Sequence, residues 1–161
     1  MKHGQPDANL RKHLAALLHW KDAHVDFDAA VKGIPARCRG VQPPGLPYSP
    51  WQLLEHIRLA QADILDFCLN PSYCAPKWPD DYWPSSPTPP DSRAWQLSVS
   101  SYRADLRSLG KLLDDPAIDV YSEIPHGQGQ TYLREILLIA DHTAFHLGEI
   151  VVVRRLLGVW G

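Results

Sequence analysis

His142, His146 and Glu149 follow one another at spacings of four and three, which puts all three on one face if the segment is helical. Two imidazoles so placed can reach a common atom, a frequent arrangement for a pair of metal ligands. A carboxylate one turn later can orient an imidazole or accept a proton from bound water. The spacing by itself also describes two histidines at a core edge, hydrogen-bonded to neighbours, beside a solvent-facing Glu149 paired with arginines. Taken alone, it favours that plainer reading. His56, in a separate segment, changes the balance, because it lies at the edge of an apolar stripe and can reach the same interior. Three neutral imidazoles suit Zn, Ni or Fe(II). Structural zinc sites are normally closed by four ligands, so a three-histidine set leaves positions for water or substrate.

The elements that must position these side chains can be read from periodicity. Thr131 to Trp160 reads as one long helix with Thr131 as N-cap and Gly158 as its stop. Leu133, Ile136, Leu137, Ala140, Ala144, Leu147 and Val151 form one apolar stripe, and Leu138, Phe145, Val152 and Leu156 form a second. A helix apolar on two sides is expected to face its own bundle and a second subunit. The helix carrying His56 starts at Ser49, with Pro50 at its first position and Gln52 completing a capping box, and ends at Asn70-Pro71. Its core stripe is Leu53, Ile57, Ala60, Ile64 and Phe67. A first helix is expected from Asp7 to Lys32, with Leu10, Leu14, Leu17 and Val31 inward, Trp20 and Phe27 on a flank, and the polar His24 and Asp28 on the same track. A third helix, capped by Asp91, carries Trp95, Val99, Tyr102, Leu106, Leu109 and Leu113 in steps of four and three. The segment after it contains a short β-like run.

Long connections separate these helices. Residues 34–48 are rich in Pro and Gly, and Pro71 to Pro90 holds seven prolines with Trp78, Tyr82 and Trp83. The aromatics argue for a packed cover over the bundle, or a plug at its end, since disordered linkers are poor in them. The expected fold is all-α, a four-helix bundle with long crossover connections in one domain over residues 1–161.

Composition sets further bounds. Hydrophobic residues at 45% and charged residues at 21% are ordinary for a globular chain. A formal charge of −2 without a basic stripe gives no electrostatic reason to expect nucleic acid. No segment is expected to span a membrane. Cys38, Cys68 and Cys74, odd in number and without CxxC spacing, suit free thiols in a reducing cytoplasm.

The stretches SPWQLLEHIRLAQADIL, with His56, and GQTYLREILLIADHTAFHLGEIVVVRRLLG, with His142 and His146, resemble the DinB-like (DNA-damage-inducible) superfamily of bacterial four-helix bundles. DAHVDFDAAVKGIP and WPDDYWP extend the resemblance over essentially the whole chain. The resemblance implies an up-down-down-up bundle, a divalent metal on the three matching histidines, and a homodimer. The chain departs from the pattern at Glu149, where similar sequences often carry Gln.

Two functions follow as expectations. One is a metal-dependent enzyme, because characterised members of the superfamily include transferases and isomerases that use low-molecular-weight thiols. The other is a non-catalytic metal-binding stress or interaction protein, because most similar sequences have no established activity. In the enzyme reading, the open face of the metal looks into a pocket between His24 and the loop around Trp78 to Trp83. His24 or Glu149 would then move a proton, and the cysteines would take no part.

Overall fold

The computed structural model describes residues 4–19 and 21–161. Among them it is all-helical, with five α-helices: α1 (Gly4–Leu17), α2 (Phe27–Val31), α3 (Pro50–Leu69), α4 (Ala94–Asp114) and α5 (Tyr132–Leu156). Short 3-10 turns lie at Ala36–Cys38 and Asp80–Tyr82. The β-like run expected after α4 amounts to a single bridge between Glu123 and Thr131.

The middle helix α3 begins as its sequence requires. Ser49 accepts the Gln52 amide, and the Gln52 side chain accepts the Ser49 amide in return. That closes two otherwise orphan donors at the buried start of the helix. The end of α3 falls at Asn70, whose amide bonds back to the Asp66 carbonyl. On α4, all six residues of the expected seam are buried. Asp91 serves as a cap one turn early, accepting the amides of Arg93 and Ala94 at 2.7 and 2.9 Å. Arg11 of α1 reaches the carbonyls of Leu113, Asp115 and Ile118, so the open C-terminal end of α4 is satisfied from another helix.

The expected first helix from Asp7 to Lys32 is two helices. It stops at Leu17, and the chain restarts at α2, where Asp26 accepts the Ala29 amide at 2.8 Å. An Asp that caps a new helix competes with continuation of the old one, and no Gly or Pro marks the break in sequence. His24 is therefore exposed on the connector, with no place on a helical core track. Asp28 is exposed too, paired with Arg103 of α4 at 2.7 Å. Trp20 lies outside the described residues.

Helix α5 packs against α3, with α2 and α1 also touching it. It is long and apolar enough by length and composition to cross a membrane, with mean hydropathy 1.6 over 18 residues, counter to the expectation that no segment would be. Its core-facing seam is Ile136, Ile139, Thr143, His146, Leu147, Ile150 and Val153. This seam lies round from the stripe expected to face inward, for Leu137 is exposed. Leu138, Phe145, Val152 and Leu156 of the second stripe are exposed as well. Of the two histidines of α5, His146 thus lies within the core seam and His142 at its edge.

Candidate metal centre

The capping box fixes the phase of α3, and that phase turns His56 inward, 2% exposed. Helix α5 crosses the same level with His146 buried and His142 half-buried. His56, His142 and His146 each offer one ring nitrogen, and the three atoms lie within 4.8 Å of one another. Three donors this close, from two rigid helices, are positioned to hold a metal ion.

The partners of each ring decide which nitrogen is free to coordinate. His56 Nδ1 lies 2.9 Å from the Tyr82 carbonyl. A carbonyl only accepts, so Nδ1 carries the hydrogen and Nε2 presents a bare lone pair. His146 Nδ1 is 2.6 Å from Glu149 Oε2, and donation to that carboxylate frees the opposite nitrogen in the same way. His142 Nε2 meets His56 Nε2 at 3.0 Å. Lone pairs that close need a proton or a cation between them. A carbonyl or carboxylate behind each ligating imidazole is the usual support of a metal-binding histidine, and the donor set fits a divalent ion of the imidazole-preferring kind.

Electrostatics keep the rings in the ligating form. Burial, then the neighbouring imidazoles, push His142 from its ordinary value down to about 4, and His146 is pushed to about 4 by burial and by His56. Burial also lowers His56, against the opposing influence of the Tyr82 carbonyl and Glu149. All three are neutral at neutral pH, as metal ligation requires. Burial raises the Glu149 carboxyl while His56 lowers it.

The Pro-rich loop is part of the centre. Trp83 stacks on His56 at 3.8 Å and 6° between planes, and Tyr48 stacks on the outer face of Trp83 at 4.1 Å. This three-ring stack fixes the His56 plane and shields one side of it. The loop is also pinned to the start of α3, where the Ser49 hydroxyl donates to the Pro87 carbonyl. Farther along, Thr88 crosses so close to Gly40 that a Cβ there would lie 2.6 Å from its hydroxyl oxygen and 3.0 Å from its Cα.

The pocket expected between His24 and the aromatic loop is divided between two places. Trp83 stands on His56, whereas His24 lines a cavity of about 480 Å³ with Phe27, Tyr102, Leu106, Ala140 and Thr143. None of the three clustered histidines lines that cavity. A second cavity of about 270 Å³ runs along Tyr48, Leu53, Phe145, Gly148 and Glu149. Glu149 therefore touches both His146 and the smaller cavity, and His24 touches only the larger one. Trp78 is exposed away from the stack. The Tyr82 carbonyl, the Trp83 stack and Tyr48 have no legible role in sequence. The aromatics of the loop are visible there, but a backbone carbonyl carries no side-chain signal.

The cysteines stand apart from the cluster. Cys74 is exposed, Cys38 is half-buried, and burial pushes the Cys68 thiol up to about 12. Comparison with protein-family profiles, curated proteins and solved structures finds no match to this chain.

Proposed function

We propose that the chain is a DinB-like protein, a four-helix bundle of up-down-down-up connectivity, whose three histidines hold one divalent metal, Zn, Ni or Fe, in an open centre. We further propose that the centre serves a thiol-transferase or hydrolase reaction on a small molecule. The observation that carries this reading is the cluster itself. Three imidazole donors from α3 and α5 converge, and no fourth His, Cys, Asp or Glu joins them among the described residues. A closed structural site would need a fourth protein ligand.

Bound there, the ion would supply Lewis acidity and lower the pKa of a thiol or water towards neutrality. The chain's own residues supply orientation and proton handling. The Tyr82 carbonyl and the Trp83–Tyr48 stack hold His56, and Glu149 holds His146 through one oxygen. Glu149 also lines the 270 Å³ cavity, and its other oxygen makes no hydrogen bond among the described residues. It is the group best placed to accept a proton from a reactant. The reading gives no proton role to His24, which belongs to the other cavity.

A second reading, a non-catalytic metal-binding protein, is favoured by the fact that neither cavity is lined by any of the three histidines. Zinc-loaded protein incubated with small electrophiles, together with each common low-molecular-weight thiol, distinguishes the two. Turnover that disappears in His142→Ala and persists in the three Cys→Ser variants supports the enzyme. Full metal occupancy with no turnover supports the non-catalytic protein.

A homodimer is part of the same proposal, because Phe145, Val152 and Leu156 leave large apolar side chains exposed along one side of α5. Light scattering at micromolar concentration is expected to give twice the monomer mass, and Phe145→Asp to halve it. A monomer mass for the unaltered chain would reject the dimer. The three free thiols fit a reducing cytoplasm, which completes the reading.

A further inference from the structure

The Pro-rich loop meets α3 at one carboxylate. Asp63 accepts the Tyr73 phenol on Oδ1 at 2.7 Å and the Tyr82 phenol on Oδ2 at 2.6 Å. Each oxygen takes one phenol, so a single anion grips the loop at two residues nine positions apart. Tyr82 is also the residue whose backbone carbonyl lies 2.9 Å from His56 Nδ1. His56 and Asp63 stand seven residues apart on α3, two turns along the same side. The tyrosine therefore spans the helix, phenol on Asp63 and carbonyl on His56.

We propose that Asp63 is a positioning residue for the metal centre: through the Tyr82 phenol it fixes the Tyr82 carbonyl that sets the tautomer and plane of His56. This inference rests on the metal reading above and adds a support behind one of its ligands. The chemistry matches the role. A carboxylate accepting two phenols makes charge-assisted hydrogen bonds, shorter and stronger than neutral ones. Burial, and then Asp63 itself, raise both phenols above their ordinary range, so both remain donors at neutral pH. The loop has no regular secondary structure around Tyr82 beyond one 3-10 turn at Asp80–Tyr82. The Trp83 stack holds the next residue from the His56 side, and the bond to Asp63 anchors the Tyr82 side chain at its other end, two turns along α3. Tyr73 shares the carboxylate, but among the described residues its backbone makes no hydrogen bond to the cluster, so it serves as the internal comparison.

The test compares Tyr82→Phe, Asp63→Ala and Tyr73→Phe with the unaltered chain by three readouts. These are zinc affinity by competition with a chromophoric chelator, the His56 tautomer from ring ¹⁵N shifts, and the thermal midpoint without added metal. Tyr82→Phe loses one hydroxyl, and with Asp63→Ala it is expected to weaken zinc by about tenfold or more, as the loss of an outer-shell partner does. Both should also reduce the fraction of His56 with its hydrogen on Nδ1. Tyr73→Phe should lower the midpoint about as much as Tyr82→Phe while leaving zinc affinity and tautomer unchanged. If Tyr82→Phe lowers the midpoint and leaves both other readouts at wild-type values, the clamp only fastens the loop and the inference is overturned. If the unaltered chain binds no zinc, the metal reading fails. The tautomer comparison then decides the positioning role alone. Should Asp63→Ala not fold, Tyr82→Phe carries the test.

Discussion

His142→Ala is expected to lose metal to the extent that affinity falls by more than about 100-fold, beyond the range typical of outer-shell changes, while the helices remain intact. His142 is the right ligand to remove because it is only half-buried and, among the described residues, its side chain has one hydrogen-bond partner, His56. His56→Ala would empty a fully buried position and unstack Trp83, and His146→Ala would strand Glu149. Either would mix a folding defect with a binding defect. Purified wild type should carry or take up close to one equivalent of divalent metal, and the variant should not. Far-UV circular dichroism of the two should coincide. A variant that keeps its metal would place the ion elsewhere.

Arg154→Ala is expected to cost about 3–5 kcal/mol of stability, because charged hydrogen bonds to buried acceptors are lost and the acceptors stay behind. Arg154 is 4% exposed near the end of α5. Its guanidinium donates to the carbonyls of Ala29 at 2.9 Å and Ala30 at 2.8 Å, and to Val159 at 3.0 Å, with Trp160 stacked 4.5 Å away. One side chain thus ties the end of α2 and the C-terminal tail to α5. In a chain of this length such a loss should lower the thermal midpoint by roughly 10 °C. Arg154→Lys should recover only part of it, since an ammonium cannot make the forked contacts. An unfolding free energy from urea titration within about 1 kcal/mol of wild type would contradict this expectation.

How much of this was legible in sequence depends on whether the signal was local. Ser49, Pro50 and Gln52 announce the start of α3 because a capping box is made by neighbours in sequence. The α4 seam is clear because its other faces are polar. Helix α5 is apolar on several sides, so periodicity could not say which stripe faces inward, and the choice of Leu137 over Ile139 and Ile150 was wrong. The break after Leu17 carries no Gly or Pro, and a continuous helix through His24 looked equally good. Arg154 carries no local signal of its role, because two of its acceptors are carbonyls more than a hundred residues away.

The candidate site divides along the same line. Spacing brought His142, His146 and Glu149 together correctly because a helix fixes that geometry, and Glu149 does hold His146. His56 was placed from the edge of one stripe, and the structure brings it to the other two. The aromatics of the loop mark it as packed, as a cover or as a plug at the bundle end, and the structure stacks one of them, Trp83, on His56. That Trp83 would lie flat on His56, or that Asp63 would grip Tyr73 and Tyr82, depends on contacts between segments that no periodicity encodes.

The most direct measurement of the central claim is anomalous diffraction from crystals of the zinc-loaded protein, collected on both sides of the zinc edge. The account predicts one anomalous peak per chain about 2.0–2.1 Å from one nitrogen of each of His56, His142 and His146, with a non-protein ligand completing the shell and Glu149 bonded to His146. A peak at another site, or a shell closed by Glu149 or a cysteine, would contradict it.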